Sequence, residues 1–140
     1  MRRRTLAREF ALKILYQIDI TRDSYSDSLS NFWQVHIEED IAQEVKSFTA
    51  ELVKGAMDNL EAIDTRIAQY ATNWQLKRMA VVDRNILRIS GYELMFRDDI
   101  PPKVSINEAI ELAKKYSSPD AAKFVNGILD KIKIEKPRPD

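Results

Sequence analysis

The chain contains no cysteine, which excludes disulfides and thiolate chemistry and makes a reducing compartment the expected setting. Only three of its 140 residues are glycine, and no stretch alternates apolar with polar residues, which argues against a β fold. No segment approaches the roughly 20 apolar residues of a membrane span. The basic N-terminus is not read as a secretion signal, because Arg8, Glu9 and Lys13 interrupt the apolar run that would have to follow. Histidine occurs once, at His36, with no nucleophile motif around it, so a hydrolytic triad has no visible base. The one acidic run, Glu38, Glu39 and Asp40, lies on consecutive residues that diverge around a helix and make a poor metal site. There is no glycine-rich phosphate loop, no internal repeat and no low-complexity tract. Catalysis, cofactor binding and metal binding are therefore not expected, and an all-α chain with a binding role is.

What is present is charge, unevenly placed. The totals cancel to a net charge of zero. Residues 1–22 nevertheless hold six basic side chains, Arg2, Arg3, Arg4, Arg8, Lys13 and Arg22, against two acids, a net +4. Residues 38–64 hold eight acids against two lysines, a net −6. A neutral total thus conceals a basic pole and an acidic segment.

Apolar spacing predicts helices throughout. The stretch from Val81 to Arg97 is apolar around most of its circumference and is expected to be the central helix, buried among several neighbours. Its charges, Asp83, Arg84, Arg88 and Glu93, must be paired within the fold or reach a surface used by a partner. A first helix is expected over Thr5 to Ile20, with Thr5 as its N-cap. The arginines crowd its positive end, where each exposed cation is unfavourable by about 0.3–1 kcal/mol. Either the start is solvated and frayed, or phosphate resolves the repulsion. Asp19 to Ser24 reads as a loop and Ser26 to Val35 as a second helix. A third starts on the acids Glu38 to Asp40 and runs to about Met57, with Gly55 inside it for a close helix contact. Asp58 with Glu61 reads as a capping box opening a fourth helix, closed by Trp74. Leu76 to Met79 forms a further turn. After the prolines at 101 and 102, Ser105 with Glu108 reads as a second capping box. Ser118 followed by Pro119 opens the last helix. Within it Asn126 is read as buried, and Gly127 as a sign of close packing. The segment 134–140 reads as a disordered tail.

Three stretches together resemble the NusB family of bacterial transcription antitermination factors. The first is Arg8-Glu9-Phe10-Ala11 leading to Leu15-Tyr16. The second runs from Trp74 through Arg78-Met79 and Asp83-Arg84-Asn85-Ile86-Leu87-Arg88 to Tyr92-Glu93-Leu94. The third, and most specific, is the unbroken run from Pro102 to Lys114, continued in Lys123 to Asp130. The resemblance covers about residues 4–132. It implies an all-α fold of two small helical bundles packed at an angle, about seven helices over 1–133, with subdomains near 1–74 and 75–133. It implies a non-enzymatic, cytoplasmic protein that binds the boxA element of ribosomal RNA leader transcripts with NusE, a small-subunit ribosomal protein. Other Nus factors and RNA polymerase complete the assembly, and some members form homodimers when alone. Two other readings stay open: the RNA-guiding helical domain of a ribosomal RNA methyltransferase, and a helical interaction module that binds no RNA.

The same resemblance places RNA contacts on Arg2, Arg3, Arg4, Arg8, Asp120, Lys123 and Phe124, and the NusE-facing surface on Tyr16 and Asp83. Ala121 departs from the family, since a small hydroxyl residue is common there. Spacing alone leaves alternatives. Tyr16 reads equally as a core-edge tyrosine, and Asp83 as an acid favoured by the helix dipole. Phe124 reads as a core residue or as one that stacks on a base.

Overall fold

The computed structural model describes residues 2–71 and 76–135. Trp74, which the sequence places at the close of the fourth helix, lies outside them, as does the tail beyond Glu135. The described chain folds into seven α-helices: α1 (Arg3–Thr21), α2 (Tyr25–Val35), α3 (Gln43–Asp58), α4 (Leu60–Tyr70), α5 (Val81–Phe96), α6 (Pro102–Tyr116) and α7 (Pro119–Glu135). A single 3₁₀ turn, Leu76–Arg78, precedes α5. Ile134 and Glu135, read from the sequence as part of the tail, belong to α7. Glu135 is held there by the Tyr70 hydroxyl and by Arg66.

α5 is central, as its all-round apolar pattern requires. It packs against α1, α3, α4, α6 and α7, with Ile86, Leu87 and Ile89 fully buried. α1, α2 and α3 pack on one another, and α4 packs chiefly on α5 and α7 beside α6. One continuous apolar core runs through the described helices.

Several helix starts differ from the sequence reading, because the polar side chains read as caps bind other partners, in another helix for Thr5 and Ser105 and within α3 for Asp58. Thr5 is inside α1 and its hydroxyl donates to Glu108 at 2.7 Å; Arg2 takes the cap position without a side-chain hydrogen bond. Ser105 is buried inside α6 and donates to Glu93 at 2.7 Å, so no capping box forms with Glu108. α6 instead opens on Pro102 at its first position, where a missing N–H costs nothing. Asp58 ends α3, paired with Lys54 at 2.6 Å, while Asn59 joins α3 to α4. Glu38, Glu39 and Asp40 lie in a turn before α3, not in its first turn. Backbone bonds from Glu39 N to His36 O and from Ile41 N to Glu39 O hold them there, with Glu39 also paired to His36. The start of α7 does follow the sequence, with Ala121 N donating to Ser118 Oγ at 3.0 Å.

The glycines divide in the same way. Gly55 sits where α3 crosses α5, and a Cβ there would lie 2.1–2.6 Å from the Tyr92 ring. Gly127 is exposed with open space around it, and Asn126 is only half-buried, so neither marks a close contact. Gly55→Ala should cost about 1–3 kcal/mol through overpacking, despite the better helix propensity of alanine. Gly127→Ala should stabilise by about 0.5–1 kcal/mol. Urea denaturation of the two variants should therefore show midpoint shifts of opposite sign.

Candidate nucleic-acid and partner interface

The first turn of α1 carries Arg3 and Arg4, with Arg2 at the cap, and all three are exposed. No acid lies in that turn. Arg3 pairs with Glu44 of α3. The Arg4 guanidinium lies 4.4 Å from the centre of the buried Phe48 ring, within cation–π range. Arg2 borders a groove of about 550 Å³ between α1 and α6, whose walls include Thr5, Glu9, Asn107, Glu108 and Lys115. One turn beyond Thr5, Glu9 accepts hydrogen bonds from Lys115, at 2.8 Å, and from Tyr116. Burial pushes the Glu9 carboxyl up, but these two hydrogen bonds and the charges of Lys115 and Lys13 outweigh it and hold the group below the usual glutamate value.

Arg8 is placed differently from the other arginines. It is 2% exposed and donates through Nε and Nη2 to the two oxygens of Glu93, both at 2.8 Å; Glu93 is 1% exposed. Its Nη1 lies 3.5 Å from Glu108. A guanidinium engaged this way on a buried carboxylate belongs to the core of the fold, and we leave Arg8 out of the arginine patch.

A second site lies at the far end of α5. The starts of α5 and α7 enclose a cleft of about 380 Å³, with Met79, Ala80 and Asp83 on one wall and Asp120, Ala121 and Phe124 on the other. Asp83, read as partner-facing, and Asp120 and Phe124, read as RNA-facing, thus share one cleft. Asp83 Oδ1 is withdrawn from solvent and accepts no hydrogen bond among the described residues. Lys123 is exposed on α7, and Phe124 is half-buried with its ring at the cleft wall. Tyr16 is exposed on α1 with Ile20 one turn on, giving α1 an apolar strip on its outer face.

Sequence reasoning missed the acid that ties these elements together. Asp19, expected in a loop, lies in the last turn of α1 with its side chain 4% exposed. It accepts from Arg84 at 2.6 Å, Asn85 at 3.0 Å and Arg88 at 3.1 Å, while Arg88 also forks onto Asp64 at 2.8 and 2.9 Å. The available signal was the pair Arg84 and Arg88 on a helix that is apolar nearly all round, which required buried acids elsewhere. Among the described residues no group of histidine or carboxylate side chains is placed to hold a metal ion. No described helix is long and apolar enough to cross a membrane.

A model described as "NusB family" matches residues 5–133. The chain belongs to the NusB family. It is 50% identical over 130 residues to the transcription antitermination protein NusB of Anaeromyxobacter dehalogenans strain 2CP-1, covering 93% of this chain and 89% of that one. It is 40% identical over 142 residues to the NusB of Thermodesulfovibrio yellowstonii, covering 96% and 93%. Among solved structures it resembles T. maritima NusB with a TM-score of 0.85 at 39% identity, over 96% of this chain and 92% of that one. It resembles to the same TM-score, 0.85, a chain from a structure of the antitermination factors NusB and NusE in complex with dsRNA. That match is 31% identical and covers 97% and 99%. The all-α, NusB-like fold read from the sequence is thus the observed one.

Within this NusB fold the Asp19 cluster yields a pH prediction. Burial, the largest single influence on Asp19, pushes its carboxyl up. The hydrogen bonds from Arg84 and Asn85, with the charges of Arg88 and Arg84, together outweigh burial and hold it below the ordinary aspartate value. A carboxyl lowered on folding contributes stability that is complete above its unfolded pKa of about 3.9 and is lost as pH falls through the lower folded value. Asp19→Asn should cost about 1–3 kcal/mol at neutral pH by leaving buried donors short of an acceptor. The gap from wild type should hold between pH 6 and about 4 and narrow only as pH falls further, in urea denaturation. Parallel pH profiles would show that Asp19 is not the coupled group.

Proposed function

We propose that this protein is an RNA-binding transcription antitermination factor that binds boxA RNA of ribosomal leader transcripts together with NusE. The observation that carries the reading is the set of exposed arginines at an uncapped, positive helix end. It stands in a chain 31% identical to one solved with NusE and dsRNA. Free N–H groups, the dipole and the arginines all favour phosphate at that end. In this reading Arg2, Arg3 and Arg4 make phosphate contacts, and the groove bounded by Arg2 and Lys115 leads from them towards the opening of α7. Lys123 adds a cation there, and Phe124 lines the cleft. Asp120 opposes phosphate and moderates affinity. The role is binding rather than catalysis, exercised in the cytoplasm. The other Nus factors and RNA polymerase complete the assembly, and a homodimer is one form open to the protein when partners are absent.

Three neutralised phosphates on a single strand give a log–log salt slope of about −2, since each contributes roughly −0.7. Replacing Arg2, Arg3 and Arg4 together by Ala should flatten the slope of boxA RNA binding while circular dichroism stays unchanged. A triple variant with the wild-type slope would end the assignment.

The partner surface in this reading comprises Tyr16, with Ile20 one turn on along α1, and Asp83 at the start of α5. Tyrosine combines an apolar ring with a polar tip, a combination enriched at interfaces. Asp83 has an oxygen without a donor among the described residues, which a basic group of NusE would supply. Asp83→Lys should abolish NusE binding in calorimetry. RNA binding by the variant alone should persist, because a cation at the cleft does not repel phosphate. Capture of NusE at wild-type strength would place the partner surface elsewhere.

A further inference from the structure

Nothing within α1 itself secures its first turn. The cap position belongs to Arg2, whose side chain makes no capping hydrogen bond, and the turn holds no acid to offset the helix dipole. Three adjacent arginines there repel one another and the positive helix end. By local rules the turn should fray. It is nevertheless formed, with the Leu6 amide 3.0 Å from the Arg2 carbonyl.

Contacts from two helices secure it: on its outer side Glu44 of α3 pairs with Arg3 and the Phe48 ring lies under Arg4, and on its inner side Glu108 of α6 reaches Thr5. Thr5 Oγ1 donates to Glu108 Oε1 at 2.7 Å, and the same carboxylate oxygen lies 3.5 Å from Arg8 Nη1. The Glu108 side chain is 17% exposed, so the bond is shielded from much of the solvent that weakens surface pairs. Glu108 thus brings to the start of α1, from a distant helix, a carboxylate that, unlike the exposed Glu44, is shielded and hydrogen-bonded to the helix's own Thr5. It is locked in turn by the Arg8–Glu93–Ser105 cluster below it.

We infer that Thr5 and Glu108 are positioning residues for RNA: they hold the first turn of α1 helical, so that Arg2, Arg3 and Arg4 meet phosphate as a pre-ordered set. The inference rests on the RNA-binding reading of α1 given above. Pre-ordering raises affinity by removing the cost of ordering on binding, without adding a contact. The salt slope, by contrast, counts phosphates neutralised. The two contributions are therefore separable.

Thr5→Val keeps the shape and every charge but removes the hydrogen bond. It should bind single-stranded boxA RNA about five-fold more weakly with the wild-type salt slope, and Thr5→Ser should restore the affinity. Glu108→Ala gives a test by sign. If Glu108 acted on RNA only as a negative charge, its loss would tighten binding; as a positioning residue, its loss weakens it. Hydrogen exchange at the Leu6 amide should speed up in both variants, while NusE binding in both, and the melting temperature of Thr5→Val, stay near wild type. Wild-type affinity in Thr5→Val, tighter binding by Glu108→Ala, or a flattened slope in Thr5→Val would each overturn the inference. If instead the wild-type protein fails to bind the RNA, or the triple arginine variant binds as well as wild type, the RNA reading has failed. Exchange at Leu6 then still decides whether Thr5 and Glu108 hold the turn.

Discussion

The buried pair of Arg8 and Glu93 joins α1 to α5 and is completed from α6 by the Ser105 hydroxyl. Removing a guanidinium and a carboxylate from water is expensive, and their attraction offsets that cost only when geometry is good and remaining hydrogen-bonding capacity is met. Here both conditions hold. The contact is a fork, Glu93 Oε1 also accepts from Ser105, and Nη1 of Arg8 faces Glu108. Such a pair tolerates little displacement, because moving any one helix strands a charge in the core. It therefore sets where α1 lies on α5 and α6, and with it the direction in which the arginine-bearing end of α1 points.

The second ionic cluster works at the other end of α1. Asp19 receives Arg84, Asn85 and Arg88, and Arg88 reaches on to Asp64 of α4. α1 is thus clamped to α5 at both ends by charges of opposite order: a cation on α1 near its start and an anion near its finish. Reversing α1 would bring like charges together in both clusters. The two clusters give the helix a polarity that apolar packing alone does not supply, since apolar contact is non-directional.

Around this frame the binding groups are left at seams between helices. Phe48 takes Arg4, Arg8 and Arg97 within 6 Å of its ring centre, so one buried aromatic lies under both a core arginine and a surface one. The starts of α5 and α7 bring Asp83, Asp120 and Phe124 to a single cleft. Residues that the family resemblance sorted into an RNA surface and a partner surface are neighbours there. A ligand at one wall necessarily alters the field at the other.

Much of this was legible in the sequence, and the limits have a physical cause. The 3.6-residue spacing of apolar side chains located every helix, because burial of one stripe is a local requirement that each segment displays by itself. The circumference of α5 showed that it had to be central. Ser118-Pro119 marked the start of α7 because that cap is completed within four residues, and Gly55 marked a real helix crossing. The polar residues were different. Thr5, Asp58 and Ser105 fit local capping rules, yet each is bound elsewhere, and Thr5 finds its acceptor 103 residues away. Arg8 looked like one more member of a basic patch, and only the fold brings Glu93, 85 residues on, under its guanidinium. The sequence by itself determined an all-α chain, its apolar faces and a basic start. Tertiary structure alone decided which charges are spent inside and which are left to meet a ligand, because a hydrogen bond depends on distance in space and carries no trace of the chain separation between its partners.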